Sequence, residues 1–94
     1  MILDELQSNK VFQHSTELWK EDNDCILVNR GGDSILLNIT LSIVWKLIDG
    51  KETTKSILDQ LIVYYGENND EIYLEQLLFE AINILSEMNI IKEK

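Results

Sequence analysis

The sequence predicts one small α+β domain in which a three-stranded antiparallel sheet is followed by three helices. Two short apolar runs flank Gly31 and Gly32, and from Thr40 onward the apolar spacing changes to a helical period. No repeat, linker or low-complexity tract divides the 94 residues. We therefore expect residues 1–94 to form a single domain, with residues 1–10 weakly ordered.

The strand patterns occupy the first part of the chain. Residues 11–20 alternate imperfectly between apolar and polar side chains and are predicted to hold the first strand. Residues 25–29 and 34–39 are rich in Ile, Leu and Val, and the glycines between them can take the positive φ of a tight hairpin turn. Within the last strand, alternation predicts a core-facing set and leaves Leu36 on the more exposed side; the core-facing set is Ile35, Leu37 and Ile39.

Three helices are predicted after the hairpin. The first follows from the i, i+3, i+4, i+7 spacing of Leu41, Val44, Trp45 and Ile48. Asn38 or Thr40 is expected to cap its start, and Gly50 to follow its end. The second helix begins after a cap at Thr53 or Thr54 and stops at Gly66.

The third helix is the longest, and its apolar stripe consists of Leu74, Leu77, Leu78, Ala81, Leu85 and Met88. Asn89 is expected to take a left-handed conformation after it, so that Ile90 and Ile91 fold back onto the core. Three strands followed by three such helices are typical of a small winged helix-turn-helix domain, with the strands on the wing side.

Net charge restricts the classes of partner. Eight Lys and Arg against seventeen Asp and Glu give a net charge of −9, and no two basic residues are adjacent. This composition disfavours binding to nucleic acid or to an anionic membrane, since both attract clustered positive charge. The third helix also carries no Lys or Arg before Lys92, so it does not suit a DNA groove. The acidity is explained either by solubility or by recruitment of a basic partner.

Residues for catalysis or metal binding are scarce. His14 is the one histidine and Cys25 the one cysteine, so the sequence offers neither a pair of zinc-binding histidines nor a usefully spaced Cys–His pair. We expect no enzyme activity, no metal and no cofactor. The lone cysteine and the lack of a signal-peptide pattern favour a cytoplasmic location.

Two features suggest a binding surface instead. The strand over residues 34–39 is predicted to leave one edge unpaired, and such an edge can accept a peptide as an extra strand. At about 100° per residue, Phe79 lies about 140° from the core direction of its helix. Phe79 is therefore interpreted either as the wall of an apolar groove, flanked by Ile72 and Ile82, or as a contact with the N-terminal segment or a second copy of the chain.

Residues 25–91 resemble the PqqD-like family, the peptide-binding domains known as RiPP recognition elements. The resemblance rests on soft apolar patterns: the hairpin into residues 35–38, the helix opening at residues 37–40 and ending at residues 43–50, Thr54 with Ile57 and Leu61, Tyr65 with Gly66, and the last turn at residues 85–91. Asn89 stands where the family usually has glycine.

The resemblance implies a domain that binds the leader of a ribosomally synthesised precursor peptide and presents it to a modifying enzyme or leader peptidase. The leader would add as a strand beside the third strand and lie in a cleft against the third helix. The peptide-binding positions carried over are Ser34, Ile35, Leu36, Leu37 and Asn38 on the edge, and Ile72, Glu75, Phe79 and Ile82 in the cleft. Glu75 or Glu71 would meet a basic leader residue. The alternatives are an acidic winged-helix interaction or oligomerisation module, such as a homodimer, and a DNA-binding regulator.

Overall fold

A computed structural model describes residues 9–16 and 18–94, and within these ranges it contains five strands and three helices. The strands are β1 (Phe12–His14), β2 (Trp19–Asp22), β3 (Cys25–Arg30), β4 (Asp33–Leu36) and β5 (Ile91–Glu93), and the helices are α1 (Ile39–Leu47), α2 (Thr54–Tyr65) and α3 (Glu71–Glu87). The predicted α+β class, with a three-stranded antiparallel sheet and three helices, is confirmed. The prediction of weak order in residues 1–10 falls mostly on residues outside the described ranges.

The central sheet has the strand order β2-β3-β4, and both of its connections are tight turns. Gly31 and Gly32 have φ of 55° and 93°, so the predicted glycine turn is confirmed. Asn23 and Asp24 also have positive φ, at 52° and 67°. Positive φ at both central residues is the mark of a two-residue turn whose twist matches that of the flanking strands.

The predicted first strand is wrong in its extent. Residues 11–20 divide into β1, which pairs with β5, and β2, which pairs with β3. The Ser15 N–H donates to the Ile90 carbonyl at 2.8 Å, which extends the contact between the first and last segments of the described chain. The alternation of side chains did not indicate this division, because pairing with a strand almost 80 residues away leaves no local pattern. Ile90 and Ile91 are buried, as predicted.

Each helix begins at a side-chain cap. The Leu41 N–H donates to Asn38 Oδ1 at 2.8 Å, and the Ser56 N–H donates to Thr53 Oγ1 at 3.1 Å, so both predicted caps are confirmed. Because the Asn38 cap starts α1 at Ile39, the predicted strand over residues 34–39 is too long. Ile39 is 58% exposed on the first turn of α1 and does not face the core.

The core lies between the helices and one face of β3. It consists of Ile26, Val28, Leu37, Leu41, Val44, Trp45, Ile48, Ile57, Leu58, Leu61, Leu74, Leu78, Ala81, Ile82, Leu85, Ile90 and Ile91. All four residues of the apolar stripe predicted for α1 are in this set, as are most of those predicted for α3. Within the described residues, no helix is both long and apolar enough to cross a bilayer.

Candidate functional site

The outer edge of β4 is open within the described residues, since β4 pairs with β3 alone. Leu37 donates its N–H to the Ile26 carbonyl at 2.8 Å. Because hydrogen-bonded residues alternate along an antiparallel pair, Ile35 also bonds toward β3. Ser34 and Leu36 fall between these positions, so their N–H and C=O groups point away from the sheet.

A buried serine ends the β3–β4 ladder. The Ile26 N–H donates to Ser42 Oγ at 2.8 Å, and that hydroxyl donates to the Leu37 carbonyl at 3.2 Å. The hydroxyl replaces the second direct bond of a regular antiparallel pair. The chain can therefore leave the sheet after Leu36 and enter α1 without an unsatisfied buried N–H.

The β3–β4 hairpin is also fixed against the far end of α3. The Arg30 guanidinium donates to the carbonyl of Met88, the residue that follows α3. Ser34 Oγ donates to Asn29 Oδ1 at 2.8 Å across the hairpin. These contacts set the position of β4 relative to α3.

A cleft of about 320 Å³ opens between the start of α1 and one face of α3. It is lined by Asn38, Thr40, Leu41, Tyr73, Gln76, Leu77, Glu80, Ala81 and Ile84. The lining begins at Asn38, two residues after the end of β4. Two large apolar side chains of the lining are exposed, Tyr73 by 53% and Ile84 by 40%, and Leu36 at the end of β4 is 68% exposed. Along the chain, the open strand edge thus ends two residues before the first residue of a partly apolar cleft.

The α3 wall of this cleft is one helical stripe. Tyr73, Leu77, Glu80 and Ile84 follow the spacing i, i+4, i+7, i+11, which extends over about 16 Å of helix. A second hollow of about 170 Å³ shares Thr40, Tyr73 and Leu77 with the cleft and continues it toward Tyr65 at the end of α2.

The predicted edge residues separate into three groups. Ser34 and Leu36 lie on the open edge, as the prediction requires. The main-chain N–H groups of Ile35 and Leu37 point toward β3, and the Leu37 side chain is fully buried. Asn38 caps α1 and contributes to the cleft lining. The open edge is therefore shorter than the predicted segment over residues 34–38.

The predicted helix residues lie elsewhere on α3. Ile72 and Glu75 face α2 and line a separate hollow of about 260 Å³, and Glu75 is only 2% exposed. Phe79 is half-buried against the core and Ile82 is buried. The alternative interpretation of Phe79, a contact with the N-terminal segment, falls mostly on residues outside the described ranges. Since α3 contacts α1, α2 and β5, its buried arc is wider than a single stripe predicts. None of these four residues lines the cleft beside Asn38.

Sequence reasoning missed the residues that form the α3 wall. Leu77 was assigned to the buried stripe, and Tyr73 and Ile84 were not assigned to the site. The signal available was the pair of apolar residues Tyr73 and Ile84, which occupy one face outside the predicted core stripe at a separation of eleven residues. Glu80 lies on the same face and was not assigned to the site.

An aromatic cluster lies on the β2 side of the molecule. The His14 ring stacks on Trp45, with centroids 3.8 Å apart and planes within 4°, and Trp19 meets both rings edge-on. His14 Nε2 is 2.8 Å from the Trp45 carbonyl oxygen. Burial lowers the pKa of His14, against the opposing effects of that contact and of Asp49. Trp45 is buried in the core, as predicted.

Metal-ion chemistry has no candidate in the part of the chain that the structure describes, where His, Cys, Asp and Glu do not form a group of three or more suited to an ion. The chain matches no protein-family model, no curated protein and no solved structure. The resemblance to the PqqD-like family therefore rests on sequence pattern alone, and the site is judged by its geometry.

Proposed function

We propose that this protein is a peptide-binding adaptor of winged helix-turn-helix type, which takes up an extended segment as a fourth strand beside β4. One observation carries the proposal: within the described residues, the outward groups of Ser34 and Leu36 form an open edge that ends two residues before Asn38, where the lining of a cleft of about 320 Å³ against α3 begins. Strand addition needs both the unpaired edge and the cleft. Main-chain hydrogen bonds at the edge supply affinity, and side-chain pockets supply specificity.

The bound segment is proposed to be the leader of a ribosomally synthesised precursor peptide. The sequence resemblance of residues 25–91 supports this identity, as does the order of hairpin and helices around the site. Among the described residues that line the cleft, none is a histidine or a cysteine and Glu80 alone is charged, which favours binding over chemistry. A cytoplasmic setting belongs to the same proposal, because precursor peptides are made there.

An adaptor of this kind acts by proximity. Holding a precursor close to a modifying enzyme or a leader peptidase raises its effective concentration, which increases turnover even when each affinity is modest. The adaptor itself then needs no cofactor.

Fluorescence polarisation tests the proposal with a labelled leader from a precursor encoded beside this gene. We expect micromolar binding that Leu36→Pro weakens at least about tenfold, because the substitution removes an outward N–H from the edge without breaking the β3–β4 ladder. Glu21→Pro is the matched control, since Glu21 directs its N–H outward on the opposite edge. Circular dichroism confirms that both variants fold.

Equal loss of affinity in both variants, or no binding by the wild type, would contradict the proposal. Sedimentation equilibrium gives a further test. If the mass rises with concentration and Leu36→Pro abolishes the rise, the edge pairs with a second copy of the chain and not with a leader.

A further inference from the structure

Negative charge is concentrated in the part of the chain that forms α2 and α3. Residues 56–91 contain seven acidic residues and no Lys or Arg. The cleft beside β4 has α3 as one wall. A segment entering the cleft therefore approaches the most acidic part of the sequence, which favours a basic partner.

Glu80 brings this charge into the cleft itself. It is the one charged residue among the described residues of the lining, and its side chain is exposed. Among the described residues, Glu80 forms no hydrogen bond or ion pair; the acidic partners in the described ion pairs are Glu21, Asp59 and Glu93. Its carboxylate is thus available to a ligand.

Apolar residues stand on both sides of Glu80 along α3. Leu77 lies about 4.5 Å before it and Ile84 about 6 Å after it along the helix axis. Successive side chains on one side of a strand are about 6.6 Å apart. A strand lying along α3 therefore places three successive same-side residues near Leu77, Glu80 and Ile84.

We infer that the segment bound beside β4 carries a Lys or Arg facing Glu80, with aliphatic residues two positions before and two positions after it. This inference rests on the proposed function and deepens it by naming the peptide class. A long basic side chain suits the place because its apolar stem packs along Leu77 and Ala81 while its charged head reaches the carboxylate. The basic residue of the ligand is assigned to Glu80 and not to Glu71 or Glu75.

The test is selection from a random library of 12-residue peptides displayed on mRNA, with the full chain immobilised. Wild type is expected to enrich the pattern aliphatic–x–Lys/Arg–x–aliphatic. Glu80→Lys is expected to enrich Asp or Glu at the central position. Glu87→Lys is the matched control, because it makes the same charge change at an exposed position of α3 outside the cleft, and it is expected to leave the pattern unchanged.

A double-mutant cycle measures the interaction between Glu80 and the basic residue of the peptide directly. Replacing the central Lys of an enriched peptide by Gln is expected to weaken binding to wild type about fivefold, which is the upper range for an exposed ion pair. The same replacement is expected to change binding to Glu80→Gln by less than about twofold. An identical effect on both proteins would overturn the inference.

The outcomes separate this inference from the proposed function. If Leu36→Pro abolishes binding of the enriched peptides but Glu80→Lys selects the same pattern as wild type, the charge pairing is overturned and strand addition stands. If no peptide is enriched, or if Leu36→Pro binds the enriched peptides as wild type does, both are overturned.

Discussion

The two edges of the central sheet differ in their side chains and in their surroundings. β2 carries Lys20, Glu21 and Asp22, and Glu21 pairs with Lys46 at 3.1 Å. β4 carries one charge, Asp33, and ends in the exposed Leu36. Charged side chains on an edge oppose the addition of another strand, since burying them beside it costs free energy. Both edges are unpaired within the described residues. Charged side chains oppose the addition of a further strand at β2, but β4 has only one of them.

The neighbours of the two edges differ as well. Beside β2, the Trp19 ring packs edge-on against the stacked pair of His14 and Trp45. Beside β4, the chain continues into the cleft against α3. An unpaired edge alone is therefore a weak indication of a binding site. What distinguishes β4 is an edge with few charged side chains, followed along the chain by a partly apolar cleft.

The largest expected effect separates Leu37 from Leu36. Leu37→Ala is expected to lower the free energy of unfolding by about 2–5 kcal/mol, because Leu37 is fully buried directly after β4. Leu36→Ala is expected to change it by less than about 0.5 kcal/mol, since Leu36 is exposed, while weakening peptide binding. Urea denaturation followed by circular dichroism measures both. Similar stability losses would show that the two sides of β4 are not distinct.

The next effect concerns the serine that ends the ladder. Ser42→Ala is expected to cost about 1–3 kcal/mol of stability, because the buried N–H of Ile26 loses its acceptor. It should loosen β4 and the cleft while leaving β2 unchanged. Ser34→Ala, which removes an exposed hydroxyl, is the control and is expected to cost much less. NMR chemical shifts that move in β2 as strongly as in β4 would contradict this account.

The smallest effect is a pH dependence that belongs to the β2 side. Because burial holds the pKa of folded His14 below its ordinary value of 6.5, protonation favours the unfolded chain. The contribution of neutral His14 to the free energy of unfolding is complete above pH 6.5 and is lost as the pH falls below that value. Urea denaturation at pH 7.5 and 5.5 is expected to show this loss in wild type and not in His14→Gln. Leader affinity measured at pH 7.5 and 6.5 should stay constant, since His14 lies away from β4.

Local chemistry explains which parts of the fold could be predicted. The Asn38 and Thr53 caps, the glycine turn and the left-handed Asn89 all follow from short stretches of sequence, and each is confirmed. The pairing of β1 with β5 could not be predicted, because neither three-residue strand carries a signal of its distant partner.

The candidate site was predicted in part for a related reason. The open edge of β4 follows from the hairpin topology, which is a local property. The cleft-facing side of α3 depends on how that helix packs against several other elements at once, and a single apolar stripe does not determine this. Phe79, which does not line the cleft, was therefore included in the predicted site, and Glu80, which does, was overlooked.

Amide hydrogen exchange, measured by NMR with and without the bound leader, tests the central claim most directly. Strand addition at β4 predicts that the outward amides of Ser34 and Leu36 become protected in the complex, because each donates to the added strand. The outward amides of Trp19 and Glu21 on β2 should exchange as in the free protein. Protection at Trp19 and Glu21, or no new protection at Ser34 and Leu36 when the leader is bound, would contradict the account.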